Sequence, residues 1–247
     1  YAHTSVDLRS TLCLKAPPIV LEDVSMCPLQ NDIYLYNKTL LQQPIQNLKI
    51  GLFNDEEINR NIYVYNCALD TWFPVSPMKE QMEYSCMTAS ADTLYLIGGR
   101  SPNNPSLKHY AQAYDYRSGL WRVLPNTTNN YVGADCCIIR STARKHLHVY
   151  GGGTTHGEVY NIVAGKWELW SHFTLPSTRK HHRVISYLEN NLWLMGGSNA
   201  EGILCGLSME TRCYAHAWRT SSILMQAARG TFGTATGTIL DCVVFQS

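Results

Sequence analysis

The sequence has no run of about eighteen apolar residues, the length a helix needs to cross a bilayer, so no membrane-spanning helix is expected. Between Tyr1 and Leu14 there is no basic head followed by an apolar stretch, and no secretory leader is expected there. The chain begins without Met and is expected to be part of a longer one. Charge of one sign is also missing. Twenty basic and nineteen acidic residues leave a net charge of +1, and a nucleic-acid or anionic-membrane surface would need a basic stripe. No Cys-x-x-Cys pair occurs among the nine cysteines, whose number is odd. Most lie in apolar stretches, such as Cys242 in Leu240-Asp-Cys-Val-Val244. Buried free thiols act as small hydrophobes, so reduced cysteines and a cytoplasmic location, with the nucleus as a second compartment, are expected. The glycosylation triplets Asn37-Lys-Thr and Asn126-Thr-Thr mean little without a secretory signal.

What is present is a core-forming chain of 247 residues, 45% hydrophobic and 16% charged, long enough for one large all-β domain or two small domains. Three segments carry an apolar run ending in a glycine pair: Thr93-Leu-Tyr-Leu-Ile-Gly98-Gly99, His146-Leu-His-Val-Tyr-Gly151-Gly152 and Leu192-Trp-Leu-Met-Gly196-Gly197. Each is followed 16 to 23 residues later by a tryptophan: Trp121, Trp167 and Trp218. Tyr114-Asp-Tyr-Arg-Ser-Gly-Leu-Trp121 and Val159-Tyr-Asn-Ile-Val-Ala-Gly-Lys-Trp167 form an aromatic turn before two of them. A fourth copy, Ile62-Tyr-Val-Tyr-Asn-Cys-Ala-Leu-Asp-Thr-Trp72, follows a strand, Asp32–Asn37, that has no glycines. The four tryptophans are 49, 46 and 51 residues apart. A period near fifty, with short apolar segments bounded by Asn, Asp, Gly and Ser, is that of a propeller blade of four antiparallel strands. The glycine pair lets the backbone approach its neighbour where a Cβ would clash, and Tyr and Trp fill the wedge between blades.

On these residues the chain resembles the kelch repeat family, with a double glycine ending the second strand, a Tyr on the third and a Trp on the fourth. The expected fold is an all-β kelch β-propeller occupying 1–247. Its blades are expected at about 18–77, 80–126, 129–174 and 177–224, with a fifth at 229–247 completed by residues 1–14. Five blades leave no unpaired edge; six is the alternative. Blade I lacks its glycine pair and carries a long insert, Lys38 to Arg60, whose length marks it as functional or mobile.

In a propeller, the loops from strand two to three and from strand four to the next blade gather on one face around the axis, a natural binding site on a rigid scaffold. The candidate partner-binding residues on those loops are Tyr84, Ser85, Arg100, Ser101, Asn103, Tyr131, Thr154, Thr155, His156, His182, Arg183, Ser198, Asn199 and Arg229. Arg and Tyr are enriched in binding hot spots. Arg100 and Arg229 also read as solvated loop charges, and Tyr84 and Tyr131 as packing between blades. The resemblance implies that such a face holds a protein substrate or peptide while an upstream BTB module binds a Cullin-3 ubiquitin ligase. A non-ligase or actin-associated scaffold is the alternative.

Neither a catalytic role nor a cofactor is expected. His146 and His148 share one side of a strand, but His-x-His is half a metal site, and neighbouring His181 and His182 point to opposite faces. Cys136-Cys137 reads as one buried thiol and one facing outwards. No motif gathers the Tyr, Cys and His of a copper-radical propeller oxidase. The Ser-x-Asp-x-Gly-x-Thr-Trp turns of sialidases are absent, as are a Ser-His-Asp set and paired carboxylates.

Overall fold

A computed structural model describes residues 24–38, 62–140, 145–175, 178–187, 191–198 and 209–212. Among them are fifteen strands and no helix, arranged as four antiparallel sheets with strands in chain order. The first sheet holds β1 (Val24–Leu29), β2 (Asp32–Asn37), β3 (Ile62–Asn66) and β4 (Thr71–Pro74). The second holds β5 (Cys86–Ser90), β6 (Thr93–Ile97), β7 (Ala111–Asp115) and β8 (Leu120–Val123). The third holds β9 (Ala134–Arg140), β10 (Lys145–Gly151), β11 (His156–Asn161) and β12 (Lys166–Thr174). The fourth holds β13 (Lys180–Tyr187), β14 (Asn191–Ser198) and β15 (Met209–Arg212). These are the blades of a kelch-type β-propeller. The strands proposed to close a fifth blade, from 1–14 and 229–247, lie outside the described residues, as do 39–61 of the blade I insert.

The first strand of each sheet packs on the first strand of the next: β1 on β5, β5 on β9, β9 on β13. A second strand between two described blades is buried on both faces, as in β6, because a neighbouring sheet covers each side. The core therefore sits between the blades. One cluster joins Cys27, Tyr34, Tyr36 and Ile62 of the first blade to Met87, Leu94, Leu96 and Trp121 of the second. Another joins Cys86, Tyr95 and Ile97 to Cys136, Leu147, Val149 and Tyr160. A third joins Cys137, Ile139 and Tyr150 to Val184, Leu192 and Leu194. Cys136 and Cys137 are thus both buried, in different clusters, and the outward thiol expected from strand alternation does not exist: alternation here points from one blade interface to the next.

The repeat residues do the same work in the first three blades. Tyr65 and Trp72, Tyr114 and Trp121, and Tyr160 and Trp167 meet with ring centroids 5.2, 5.3 and 5.0 Å apart. The indole N–H of Trp121 donates to the Ser76 carbonyl at the end of the preceding blade (2.8 Å), and that of Trp167 to the Pro125 carbonyl (2.8 Å). The hairpin from strand three to four begins with Asn66, Asp115 or Asn161, whose side-chain oxygen accepts from the backbone N–H of Leu69, Ser118 and Ala164 respectively, an Asx-turn in each case. At the glycine pair, Gly98 and Gly99 have φ of 68° and 86°. A Cβ on Gly98 would overlap the carbonyl oxygen of Tyr131, and one on Gly99 that of Glu83, so these glycines are required by close approach as well as by φ.

Candidate functional site

The site is built at the entrance to the first strands. Glu83, Tyr84 and Ser85 lead into β5, and Arg100 follows the glycine pair that ends β6. Glu83 and Arg100 form a two-residue antiparallel bridge, each backbone N–H donating to the other's carbonyl (2.8 and 2.9 Å). Their side chains repeat the link, Arg100 Nε donating to Glu83 Oε2 at 3.0 Å. The Arg100 guanidinium lies 5.0 Å from the centroid of the Tyr84 ring, a cation–π contact, yet the side chain stays 62% exposed. Ser85 is buried; its hydroxyl donates to the Gly98 carbonyl (2.8 Å) and its N–H to the Tyr36 hydroxyl (3.3 Å).

The same entrance is joined across blades by main-chain bonds. Tyr84 N–H donates to the Lys38 carbonyl (2.8 Å), Gly133 N–H to the Tyr84 carbonyl (2.9 Å), and His181 N–H to the Gly133 carbonyl (2.9 Å). The rings of Tyr84 and His181 consequently meet edge to face, 6.2 Å between centroids. Lys180, beside His181, is exposed.

Deeper along the first strands lie buried charges. Asp135 on β9 accepts from the Val184 N–H of β13 (2.7 Å). Burial pushes its carboxyl above the usual range, opposed by the charge of Arg183, the Val184 N–H and Lys38. Arg183 is buried and one Nη donates to the Val24 carbonyl of β1 (3.4 Å), linking the fourth sheet to the first. His182 is buried with its ring over Gly151; burial first, then Arg179, Arg183 and His181, pull its pKa down to about 3, so it is neutral.

The other residues singled out by sequence fall in two groups. Tyr131 is fully buried: its hydroxyl reaches the Glu158 carboxylate at 3.2 Å, and burial with that neighbouring carboxylate pushes its pKa up. It pins a loop, and what it offers the face is backbone. Ser101 is also buried, bonded to Glu80 and accepting from the Asn104 N–H. Asn103 and His156 are exposed, and Thr154, Thr155 and Ser198 half-buried, with Thr154 Oγ1 accepting from the His156 N–H (3.1 Å). Asn199 and Arg229 lie outside the described residues. The structure thus brings Tyr84 and Arg100 together and adds Glu83, Lys180 and His181, which sequence reasoning left out of the site. The available signal was register: Tyr84, Gly133 and His181 each stand two positions beyond a residue, Met82, Tyr131 or Arg179, buried at the blade junction.

His146 and His148 do share a side, their rings 6.4 Å apart, but His148 is buried against Tyr150 and held down to about 3 by desolvation and by His146. Among the described residues no three His, Cys, Asp or Glu side chains gather as a metal site.

No family model matches the chain. Among known proteins, Kelch-like protein 22 of Rattus norvegicus is 27% identical over 107 residues, which is 42% of this chain and 17% of the relative. Its Homo sapiens counterpart is 26% identical over 92 residues, 36% of this chain and 14% of the relative. Kelch-like protein 26 of Danio rerio is 24% identical over 132 residues, 47% of this chain and 20% of the relative. The chain therefore aligns with a fifth or less of the length of these relatives.

Proposed function

We infer, from the premise that the chain is a kelch-type β-propeller with a protein-binding face, that it is the substrate-recognition part of a Cullin-3 ubiquitin ligase adaptor acting in the cytoplasm. A target protein or peptide would be held at the loop face, and Cullin-3 through a BTB module elsewhere in the same protein. The observation that carries the binding face is Arg100. It is exposed, yet fixed twice by Glu83 and once by Tyr84. A guanidinium ordered before binding loses little rotamer freedom when a partner arrives, which is the condition for a hot spot. The kelch resemblance and the Kelch-like relatives support the ligase reading.

The test is co-precipitation with the full-length gene product, in the natural sequence and with Arg100→Ala. Cullin-3 is expected with both forms. A substrate is expected with the natural form only, its affinity lowered by about tenfold or more, as for other interface arginines. Recovery of a partner without Cullin-3 would replace the ligase by a scaffold. Equal recovery of substrate by both forms would move the binding face away from Arg100.

A further inference from the structure

The innermost strands of the second and third blades each carry a thiol into the same seam. Cys86 stands opposite Ile97 within its sheet, and Cys136 opposite Val149. β5 packs on β9, and both cysteines belong to the buried cluster between the two blades. The Cys86 thiol donates to the Ile97 carbonyl, sulfur to oxygen 3.5 Å, so its one proton is spent. The hydrogen bond that joins the two side chains is therefore donated by Cys136. The two sulfurs thus touch across the seam. Packing alone asks here for small apolar side chains, which Ala111, Ala113 and Ala134 supply in the same cluster. A pair of thiols in contact adds a chemistry that alanine lacks.

The surroundings set when that chemistry can run. Both side chains are buried, and burial, then the bond to Cys86, hold the Cys136 thiol well above its ordinary value. The thiolate is the nucleophile, so the closed seam keeps the pair inert. The seam is bonded on either side of it. Gly133 N–H donates to the Tyr84 carbonyl and Gly99 N–H to the Tyr131 carbonyl, 2.9 Å each, and farther out the Trp167 indole donates to the Pro125 carbonyl at 2.8 Å. Oxidation therefore waits on a local opening that parts the two blades, and a bridge once formed forbids the next opening.

We propose that Cys86 and Cys136 are a redox-sensitive staple, joined by oxidation into a disulfide that fixes the second and third blades against each other. The oxidant is a low-molecular-weight disulfide of the glutathione class. In the opened seam one cysteine thiolate attacks it, forming a mixed disulfide and releasing one glutathione thiolate. The second cysteine thiolate then attacks the protein sulfur of that intermediate. The Cys86–Cys136 bond forms and the second glutathione thiolate leaves. The two cysteines give up two electrons and two protons, and the glutathione disulfide becomes two thiols. The bridge closes a loop that takes in the whole second blade, directly beneath the Tyr84–Gly133 bond. None of this depends on what the loop face binds.

The experiment equilibrates the full chain, without denaturant, in mixtures of reduced and oxidised glutathione. Free thiols are then alkylated, and the unreduced digest is mapped by mass spectrometry. The exposed Cys67 reports in the same sample that the oxidant is active. Peptides joined through Cys86 and Cys136 are expected in the oxidised mixture and not in the reduced one. The bridged form should melt about 5 °C or more higher, because a long loop is closed in its unfolded chain. Its Gly133 amide should exchange deuterium more slowly than in the reduced form. Cys136→Ala, treated alike, should show neither gain. The map needs only the natural sequence, so it decides the matter even if that variant fails to fold. Free Cys86 and Cys136 beside a glutathione-bearing Cys67 overturn the proposal. Bridges to other cysteines overturn it, as does a Cys86–Cys136 bridge that lowers the Tm or leaves exchange at Gly133 unchanged.

Discussion

Single positions in this chain are decided by backbone geometry as often as by side-chain chemistry. Tyr84 shows it, because its conformation inverts an ordinary ranking. In most positions alanine is more stable than glycine by roughly 0.5–1 kcal/mol, since glycine has more freedom to lose. With φ at 55° the Cβ is the liability. Tyr84→Ala and Tyr84→Gly remove the same ring contacts with Arg100 and His181 and differ only in that atom. The glycine variant is therefore expected to be the more stable of the two, by about 1 kcal/mol, or about 2–4 °C in Tm for a chain of this size. Thermal melts of the pair decide it; alanine at or above glycine would show that the left-handed conformation is not strained. The same residue marks the limit of sequence reading. Tyr84 and Arg100 are legible as a loop tyrosine and a loop arginine beside glycine landmarks. The contact of Tyr84 with His181 is not, because the link runs through the main chain of Gly133 and leaves no mark in side-chain identity.

At the scale of the element, the strands and their turns were readable because the described blades draw on a shared set of physical devices. The Tyr–Trp pair, the Asx-turn and the glycine close approach all stand where the repeat puts them. The misreading of the Cys136-Cys137 pair has an element-level cause: alternation tells two faces apart but does not say that both are covered. The tryptophan on the outer strand is more than filler between sheets, since its N–H satisfies a carbonyl of the preceding blade. Trp121→Phe keeps most of the apolar area and removes the donor to Ser76. A loss of about 1–2 kcal/mol in unfolding free energy is expected, read from urea denaturation with an unchanged m-value. A loss no larger than experimental scatter would mean that the Ser76 carbonyl finds solvent instead.

For the whole molecule, the buried histidines set how stability responds to acid. His148 and His182 are both held near 3, against an ordinary imidazole value of 6.5. The unfolded chain therefore binds more protons than the folded one throughout that interval. Stability contributed by keeping these rings neutral is fully present above 6.5 and is lost as pH falls towards 3, with a slope of up to about 1.4 kcal/mol per pH unit for each ring. Asp135 works in the opposite sense: its raised carboxyl favours the folded state as it protonates, in a window starting at its ordinary value of 3.8. The Tm is thus expected to be nearly flat above neutrality and to fall steadily between pH 6.5 and the onset of carboxylate titration. His182→Gln should make that fall shallower, although Arg179, Arg183 and His181 remain around it. A Tm independent of pH across that interval would show that these rings are not desolvated.

The chain of bonds from Lys38 through Tyr84 and Gly133 to His181 has an evolutionary consequence. It is written in main-chain atoms, and every residue but proline supplies the same N–H and carbonyl. The letters at those positions can therefore drift among residues that accept a left-handed backbone, and with them the exposed surface, while the seam between blades stays closed. On the proposed binding role of this face, lineages carrying this fold exchange one client for another by single substitutions, each step passing through a molecule that still folds.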